Sequence, residues 1–264
     1  MRQITTQALL ELKQTGEKFT CITAYDATFA SLINQAGVET ILVGDSLGMV
    51  LQGHHDTLPV TISDMVYHTR CAASGKGRSL LISDMPFMSY SNPHQTLTNA
   101  AELMRAGAQM VKLEGGHWLC DSISLLRERG IPVCAHLGLT PQSVNTLGGF
   151  KVQGRTPDSA EPIIQDALRV EAAGASLLIL ECVPQSLAAA ITQQLSIPVI
   201  GIGAGPDTDG QVLVLHDLLG MNPRPARFVK DFLAGQPSIQ AALGAFSKAV
   251  KQGEFPAPEH CFNT

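Results

Sequence analysis

Seven side chains able to do acid–base or metal chemistry recur at one kind of place, at or just past the end of a short apolar run. Asp45 and Ser46 follow run 40–43, and Asp84 follows run 80–83. Lys112 and Glu114 lie in run 110–114, His136 closes run 132–136, and Glu181 closes run 177–181. Lys112 and Glu114 are two apart, so on a strand both face one side, with Met110 below them. Three carboxylates converging in a low-dielectric pocket repel one another, and something positive must offset them. A hard divalent cation takes oxygen ligands, and Mg²⁺ keeps positions open for water and substrate. Lys112 supplies a second positive charge.

Each residue taken alone has an ordinary explanation. An Asp after a strand often caps a helix. Asp84 before Met85-Pro86 could belong to a turn, Glu114 before Gly115-Gly116 could be solvated, and His136 could be a hydrogen-bonded core histidine. Five consecutive runs ending this way argue for one site instead.

The elements that must position these groups are short runs rich in Val, Ile and Leu: 19–24, 40–43, 80–83, 110–114, 132–136, 177–181, 198–202 and 211–215. The fourth, sixth and seventh are almost continuously apolar, as parallel strands buried on both faces are. Helical patterns separate most of them. Phe29, Leu32, Ile33 and Ala36 share one face, as do Leu97, Ala101, Leu103 and Met104 after Pro93. Leu125 and Leu126 mark a short helix ending at Gly130, and Ile164, Ala167, Leu168 and Glu171 one that stops near Gly174. A further helix is expected over 184–195. The triplets Ala36-Gly37-Val38, Ala106-Gly107-Ala108 and Ala173-Gly174-Ala175 each read as a glycine-capped helix end before a strand. Eight strands in such units predict an α/β fold, a closed (β/α)₈ TIM barrel, with a doubly wound open sheet as the alternative. All 264 residues then form a single barrel domain, extended beyond residue 223 by C-terminal helices that cap the barrel or meet another subunit. Residues 48–61 and 138–162 form long insertions at the C-terminal strand ends, where barrel enzymes place their active-site loops.

Charge and composition narrow the function. Net charge is −5 and no basic run exceeds two residues, so nucleic-acid binding is not expected. No stretch approaches the roughly 18 apolar residues of a membrane span. Residues 1–18 show helical spacing without a signal-peptide core, which predicts a cytoplasmic protein. The 6 cysteines form no C-x-x-C pair and read as reduced small hydrophobes. The run Gly201-Ile202-Gly203-Ala204-Gly205 reads as a tight turn rather than a phosphate cradle, because Pro206 interrupts any following helix. His54 and His55 are adjacent, so their side chains diverge and make a poor metal pair.

Several motifs resemble the ketopantoate hydroxymethyltransferase family. They are Val43-Gly44-Asp45-Ser46-Leu47-Gly48-Met49, Thr57-Leu58-Pro59-Val60-Thr61, Asp84-Met85-Pro86-Phe87-Met88-Ser89-Tyr90 and Val111-Lys112-Leu113-Glu114-Gly115-Gly116. His136-Leu137-Gly138-Leu139-Thr140-Pro141-Gln142-Ser143, the stretch 148–155, the run 200–205 and Asp209-Gly210-Gln211-Val212-Leu213-Val214 extend the likeness over nearly the whole chain. The resemblance implies a barrel of the phosphoenolpyruvate/pyruvate-type superfamily. It implies hydroxymethylation of 3-methyl-2-oxobutanoate by 5,10-methylenetetrahydrofolate, giving 2-dehydropantoate for pantothenate synthesis through a Mg²⁺-stabilised enolate. By the family pattern Asp45, Asp84 and Glu114 serve Mg²⁺, Asp45, Ser46, Asp84 and Lys112 surround the oxo acid, and Glu181 accepts the proton. His136 is a supporting residue behind these. The expected partners are the small 2-oxo acid and folate, with a homodecamer as the assembly. His55 beside His54 departs from the family pattern, away from any assigned ligand. The rival readings are another Mg²⁺-dependent 2-oxo-acid lyase, a Schiff-base aldolase using Lys112, and a non-catalytic ligand-binding barrel.

Overall fold

In the computed structural model, which describes residues 3–263, eight parallel strands close into a barrel in the order β1 to β8. Helix α1 (Thr6–Thr15) comes first and sends Leu9 into the apolar cluster that fills the barrel. The sequence then runs β1 (Phe19–Thr23), α2 (Ala27–Gln35), β2 (Thr40–Val43), the short α3 (Leu47–Val50) and α4 (Ile62–Gly75). β3 (Leu80–Asp84), α5 (Pro93–Ala106), β4 (Met110–Glu114), α6 (Cys120–Glu128) and β5 (Val133–Gly138) follow. The second half holds α7 (Val144–Leu147), α8 (Pro157–Ala173), β6 (Leu177–Glu181), α9 (Gln185–Gln194), β7 (Val199–Ile202), β8 (Gly210–Leu213), α10 (Leu215–Leu218) and α11 (Ile239–Lys251).

Strand periodicity sorts every side chain. Leu42, Ile82, Met110, Cys134 and Ile179 pack together inside the barrel, while Val43, Leu81, Val111, Ala135 and Leu178 face the helices. Two residues past each inward apolar side chain, the same column reaches the mouth: Asp84 above Ile82, Lys112 and Glu114 above Met110, His136 above Cys134, Glu181 above Ile179. The alternation read in 110–114 is therefore the alternation of the fold.

Several boundaries differ from the sequence reading for local reasons. Pro132 and Pro198 stay outside their strands, since proline has no N–H for a ladder, though both carbonyls accept from neighbouring strands. Helix α8 begins at Pro157, so the insertion after β5 is shorter than expected. Thr156 caps it, accepting from the Ser159 N–H, and Pro162 sits early enough to be tolerated. The fully buried stripe of α5 is Thr96, Ala100, Leu103 and Ala106; of the expected face Leu103 is in it, while Leu97, Ala101 and Met104 are half-buried, Leu97 and Met104 packing against the core. No helix separates β7 from β8. Gly203 and Gly205, both at positive φ, turn residues 203–209 straight back, packed against Phe228, Phe262 and Gln185. The tail supplies α11 instead, which lies over β1 and α2 and builds a Phe232–Phe246–Phe255 cluster.

Helix α4 does more than fill the outer layer. Its Thr69 Oγ1 lies 2.8 Å from Ser83 Oγ, and His68 Nδ1 lies 2.8 Å from the Tyr25 carbonyl, so it braces the strand ends beside Asp84. The helix starts at a capping box in which Thr61 and Asp64 satisfy each other's backbone N–H. The Thr61 side chain, then its backbone N–H, hold the Asp64 carboxyl below its usual range. Thr61→Ala should cost about 1 kcal/mol in denaturant unfolding at neutral pH. A depressed carboxyl contributes stability above its unfolded pKa and loses it on acidification, so the deficit should shrink below about pH 4. An unchanged midpoint in urea would show that the cap contributes nothing.

Candidate active site

One cavity of about 170 Å³ opens at the C-terminal end of the barrel, and Asp45, Ser46, Asp84, Lys112, Glu114, His136 and Glu181 all line it. Its remaining wall is largely apolar, from Leu42, Ile179, Ile202, Val212, Phe150 and Phe228. A wider hollow of about 450 Å³ beside α1 and α8 offers no comparable set: its one carboxylate, Glu171, accepts from the Ser196 and Ile197 N–H groups and ties α8 to the segment between α9 and β7.

The charged groups form a chain. Lys112 Nζ donates to Asp84 Oδ1 at 2.7 Å and stands 3.6 Å from Glu114 Oε1. Asp84 Oδ2 accepts from the Asp45 N–H at 3.0 Å, and Gly44 leaves room for Ser46 Oγ, which a Cβ there would meet at 2.7 Å. Glu114 Oε1 meets His136 Nδ1 at 3.2 Å. His136 Nε2 reaches Glu181 Oε2 at 3.4 Å, too long for a full hydrogen bond, so charge attraction carries that contact. Tyr25 and Ser46 share a hydrogen bond of 3.0 Å.

Gln142, to which the sequence reading gave no role, joins the two halves. Its backbone N–H donates to Glu114 Oε2 at 2.9 Å, while Nε2 donates to Asp45 Oδ2 at 2.8 Å and to the Met85 carbonyl at 3.0 Å. Tyr90 donates to Gln142 Oε1 and so fixes which end of the amide faces Asp45. In the sequence Gln142 stands within the family-like stretch 136–143, just after Thr140-Pro141, with nothing in that pattern to mark its bonds to Asp45 and Glu114.

Burial and like charge set the protonation states. Asp45, Asp84, Lys112, Glu114 and His136 are all buried. Burial, then the Asp84 and Glu114 charges, push the Asp45 carboxyl well above its usual range. Burial alone would lower Lys112, but Asp84, Glu114 and Asp45 outweigh it and hold the ammonium charged. A permanently charged lysine is no Schiff-base nucleophile, which counts against the aldolase alternative. Glu114 is lowered: burial opposes its charge, and His136 and Lys112 overcome that cost. For His136, burial and Lys112 work downward, yet Glu114 and Glu181 raise it to about 9.

Lys112 and His136 are occupied with Asp84 and Glu114, which leaves Asp45 short of positive charge, and among the described residues its Oδ1 accepts no hydrogen bond. Among the described residues, no three His, Cys, Asp or Glu side chains form a ready-made metal cage. Asp84 and Glu114 each have partners at both oxygens, and Asp45 and Asp84 stand together at the cavity wall. An all-oxygen pair that leaves room for water and substrate fits Mg²⁺, which commonly takes only one or two carboxylates.

The backbone after the last acid is also special. Cys182 holds φ of 47°, and Gly138 at φ of 89° abuts the Glu181 carbonyl, where a Cβ would come within 2.3 Å. These two positions let β5 and β6 turn outward while Glu181 stays at the rim. All six cysteines are free, and burial raises Cys21 to about 12 and drives Cys134 and Cys182 higher still, so these three behave as inert core residues. No helix among the described residues is long and apolar enough to cross a membrane.

Comparison with known proteins matches this picture. The family model described as ketopantoate hydroxymethyltransferase covers residues 3–258. Proteins named 3-methyl-2-oxobutanoate hydroxymethyltransferase from Shewanella loihica and Shewanella oneidensis are 61% and 60% identical over 264 residues, spanning 100% of each chain. Among solved structures, a phosphonopyruvate hydrolase matches with a TM-score of 0.64 at 16% identity, covering 94% of this chain and 96% of that one. A 2,3-dimethylmalate lyase of the PEP mutase/isocitrate lyase superfamily matches at 0.56 and 14%, covering 97% and 100%. Those two likenesses concern the fold alone, whereas the sequence matches run the full length of the chain. The chain belongs to the ketopantoate hydroxymethyltransferase family.

Proposed function

We propose that the protein transfers a one-carbon unit from 5,10-methylenetetrahydrofolate to C3 of 3-methyl-2-oxobutanoate, water supplying the hydroxyl of the 2-dehydropantoate formed. The observation that carries this reading is the convergence of Asp45, Ser46, Asp84, Lys112, Glu114, His136 and Glu181 on one small cavity. A five-carbon oxo acid suits its volume and its half-polar, half-apolar wall.

Asp45 and Asp84 would hold Mg²⁺, with Glu114 behind them. The bound ion would supply Lewis-acid stabilisation of negative charge on the oxo acid's oxygens. Lys112, fixed by Asp84 and held charged, adds positive charge on the same side. Ser46, held by Tyr25, offers a hydroxyl to the substrate's polar end. Glu181 comes from β6, across the cavity from Asp45 and Asp84 on β2 and β3, so it can approach carbon rather than oxygen. It takes the C3 proton, and C3 bonds to the one-carbon unit as both C–N bonds of the folate's methylene bridge break; water's oxygen becomes the hydroxyl, its two protons go to the folate nitrogens, and the C3 proton ends on the new alkoxide. His136, anchored on Glu114, orients Glu181 by charge.

The same reading places the protein in the cytoplasm, where six free cysteines are at home. It also extends to a homodecamer, supported by the exposed Phe87, Met88 and Trp118 around one rim hollow, which self-association would cover.

The test is hydrogen–deuterium exchange at C3 of 3-methyl-2-oxobutanoate, followed by NMR. Exchange should require Mg²⁺, stop with EDTA and proceed without folate, and product should form once methylenetetrahydrofolate is added. Full activity after exhaustive EDTA treatment would end the metal reading. Cleavage of acylated oxo acids without folate would favour a lyase.

A further inference from the structure

The oxo-acid cavity, at about 170 Å³, is too small to take a folate as well. Next to it lies an open basin of about 830 Å³, and the two share Met49 and Phe150 as walls. Four groups with basic nitrogens line the basin: His54 and His55 from the loop after β2, His216 from α10, and Arg224 beyond it. No Asp or Glu lines it, in a chain whose net charge is −5. Arg224 is exposed, and among the described residues its guanidinium makes no ion pair; its backbone N–H alone is engaged, donating to Asn222 Oδ1 at 3.0 Å. His216 Nδ1 is buried without a hydrogen-bond partner among the described residues. The His216 ring lies 5.8 Å from that of Tyr25, whose hydroxyl holds Ser46 in the oxo-acid cavity.

Resting on the folate reading above, we propose that this basin is the subsite for the p-aminobenzoyl-glutamate end of tetrahydrofolate, with Arg224, His54 and His55 receiving the glutamate carboxylates. The reacting methylene carbon must meet C3 inside the small cavity, so the rest of the folate has to leave through its mouth. Met49 and Phe150 flank that exit and give an aromatic ring an apolar passage. Beyond them the wall turns basic, which matches the change in folate from aromatic amide to dicarboxylate. Longer glutamate tails fit the same chemistry, since each adds a carboxylate on the basic side. The adjacent histidines, poorly placed to share a metal ion, are well placed to present two separate N–H donors to a flexible anion.

Binding isotherms with the Mg²⁺-loaded full chain test this, using tetrahydropteroate, tetrahydrofolate monoglutamate and the triglutamate. The wild type should bind the monoglutamate about tenfold more tightly than tetrahydropteroate, and the triglutamate more tightly again. Arg224→Glu combined with His54→Ala and His55→Ala should bring the three affinities together, while Arg224→Lys should keep most of the preference. Equal affinities in the wild type, or a preference that survives Arg224→Glu, would overturn the assignment. Should the triple variant fail to fold, loss or retention of the preference in Arg224→Glu alone decides. Proton exchange on the oxo acid needs no folate, so it separates the two readings. Exchange without any glutamate preference sinks the basin alone, and absence of exchange sinks the proposed reaction.

Discussion

Replacing Glu181 by Gln should lower proton exchange at C3 of 3-methyl-2-oxobutanoate by about 10²- to 10⁴-fold, the range expected for loss of a positioned general base. Mg²⁺-dependent binding of the oxo acid should remain measurable by calorimetry. The change keeps shape and removes only the proton acceptor, so the metal-facing side of the cavity is left alone. Glu181 is also the most open acid of the set, with its side chain 16% exposed against 3% for Glu114. No neighbour can take over easily. His136, raised to about 9, already carries its proton at neutral pH, and Asp45 is committed beside Asp84. Exchange retained at the wild-type rate in Glu181→Gln would assign the base to another group. Loss of oxo-acid binding together with exchange would instead make Glu181 a structural partner of His136.

The reasons some of this site was legible in the sequence and some was not are physical. Strand period 2 is a local rule, so Met110, Lys112 and Glu114 had to share a face, and parallel strands had to end together. Those local rules bring seven polar side chains from five strands to one rim. Gln142 obeys no such rule. Its partners Asp45 and Glu114 lie 97 and 28 residues away, and the loop that delivers it has no period. Tyr25 and Tyr90 act through hydroxyls that look, in sequence, like ordinary core aromatics. The α5 stripe differs for another reason: an apolar pattern points to Leu97, Leu103 and Met104, but the helix is rotated so that Thr96 and Ala100 join Leu103 in the fully buried line. The missing helix between β7 and β8 follows from Gly203, Gly205 and Pro206, a local signal whose consequence for the barrel wall depends on α11, far along the chain.

Lys112→Met should destabilise the metal-free protein by about 3–5 kcal/mol at neutral pH, the usual cost of stripping one partner from a buried charge cluster. Methionine fills similar space, so the loss is electrostatic rather than a cavity. The pH dependence then identifies the cause. In the wild type, the raised Lys112 pKa contributes stability at every pH below its unfolded value and loses it only above the working range. Asp45 behaves oppositely. Its carboxyl is raised in the folded state, so between about pH 4 and that raised value the fold holds a proton the unfolded chain has released, and stability falls as pH rises. Removing Lys112 pushes Asp45 higher still and widens this window. The variant should therefore regain stability as pH drops from about 8 toward 5, more steeply than the wild type. Saturating Mg²⁺ should flatten both curves and raise the variant's Tm more than the wild type's, because the ion replaces the missing positive charge. A variant whose Tm responds to neither acid nor Mg²⁺ would mean that Asp45, Asp84 and Glu114 do not share one electrostatic site, and the reading of the cavity as a metal-assisted centre would fail with it.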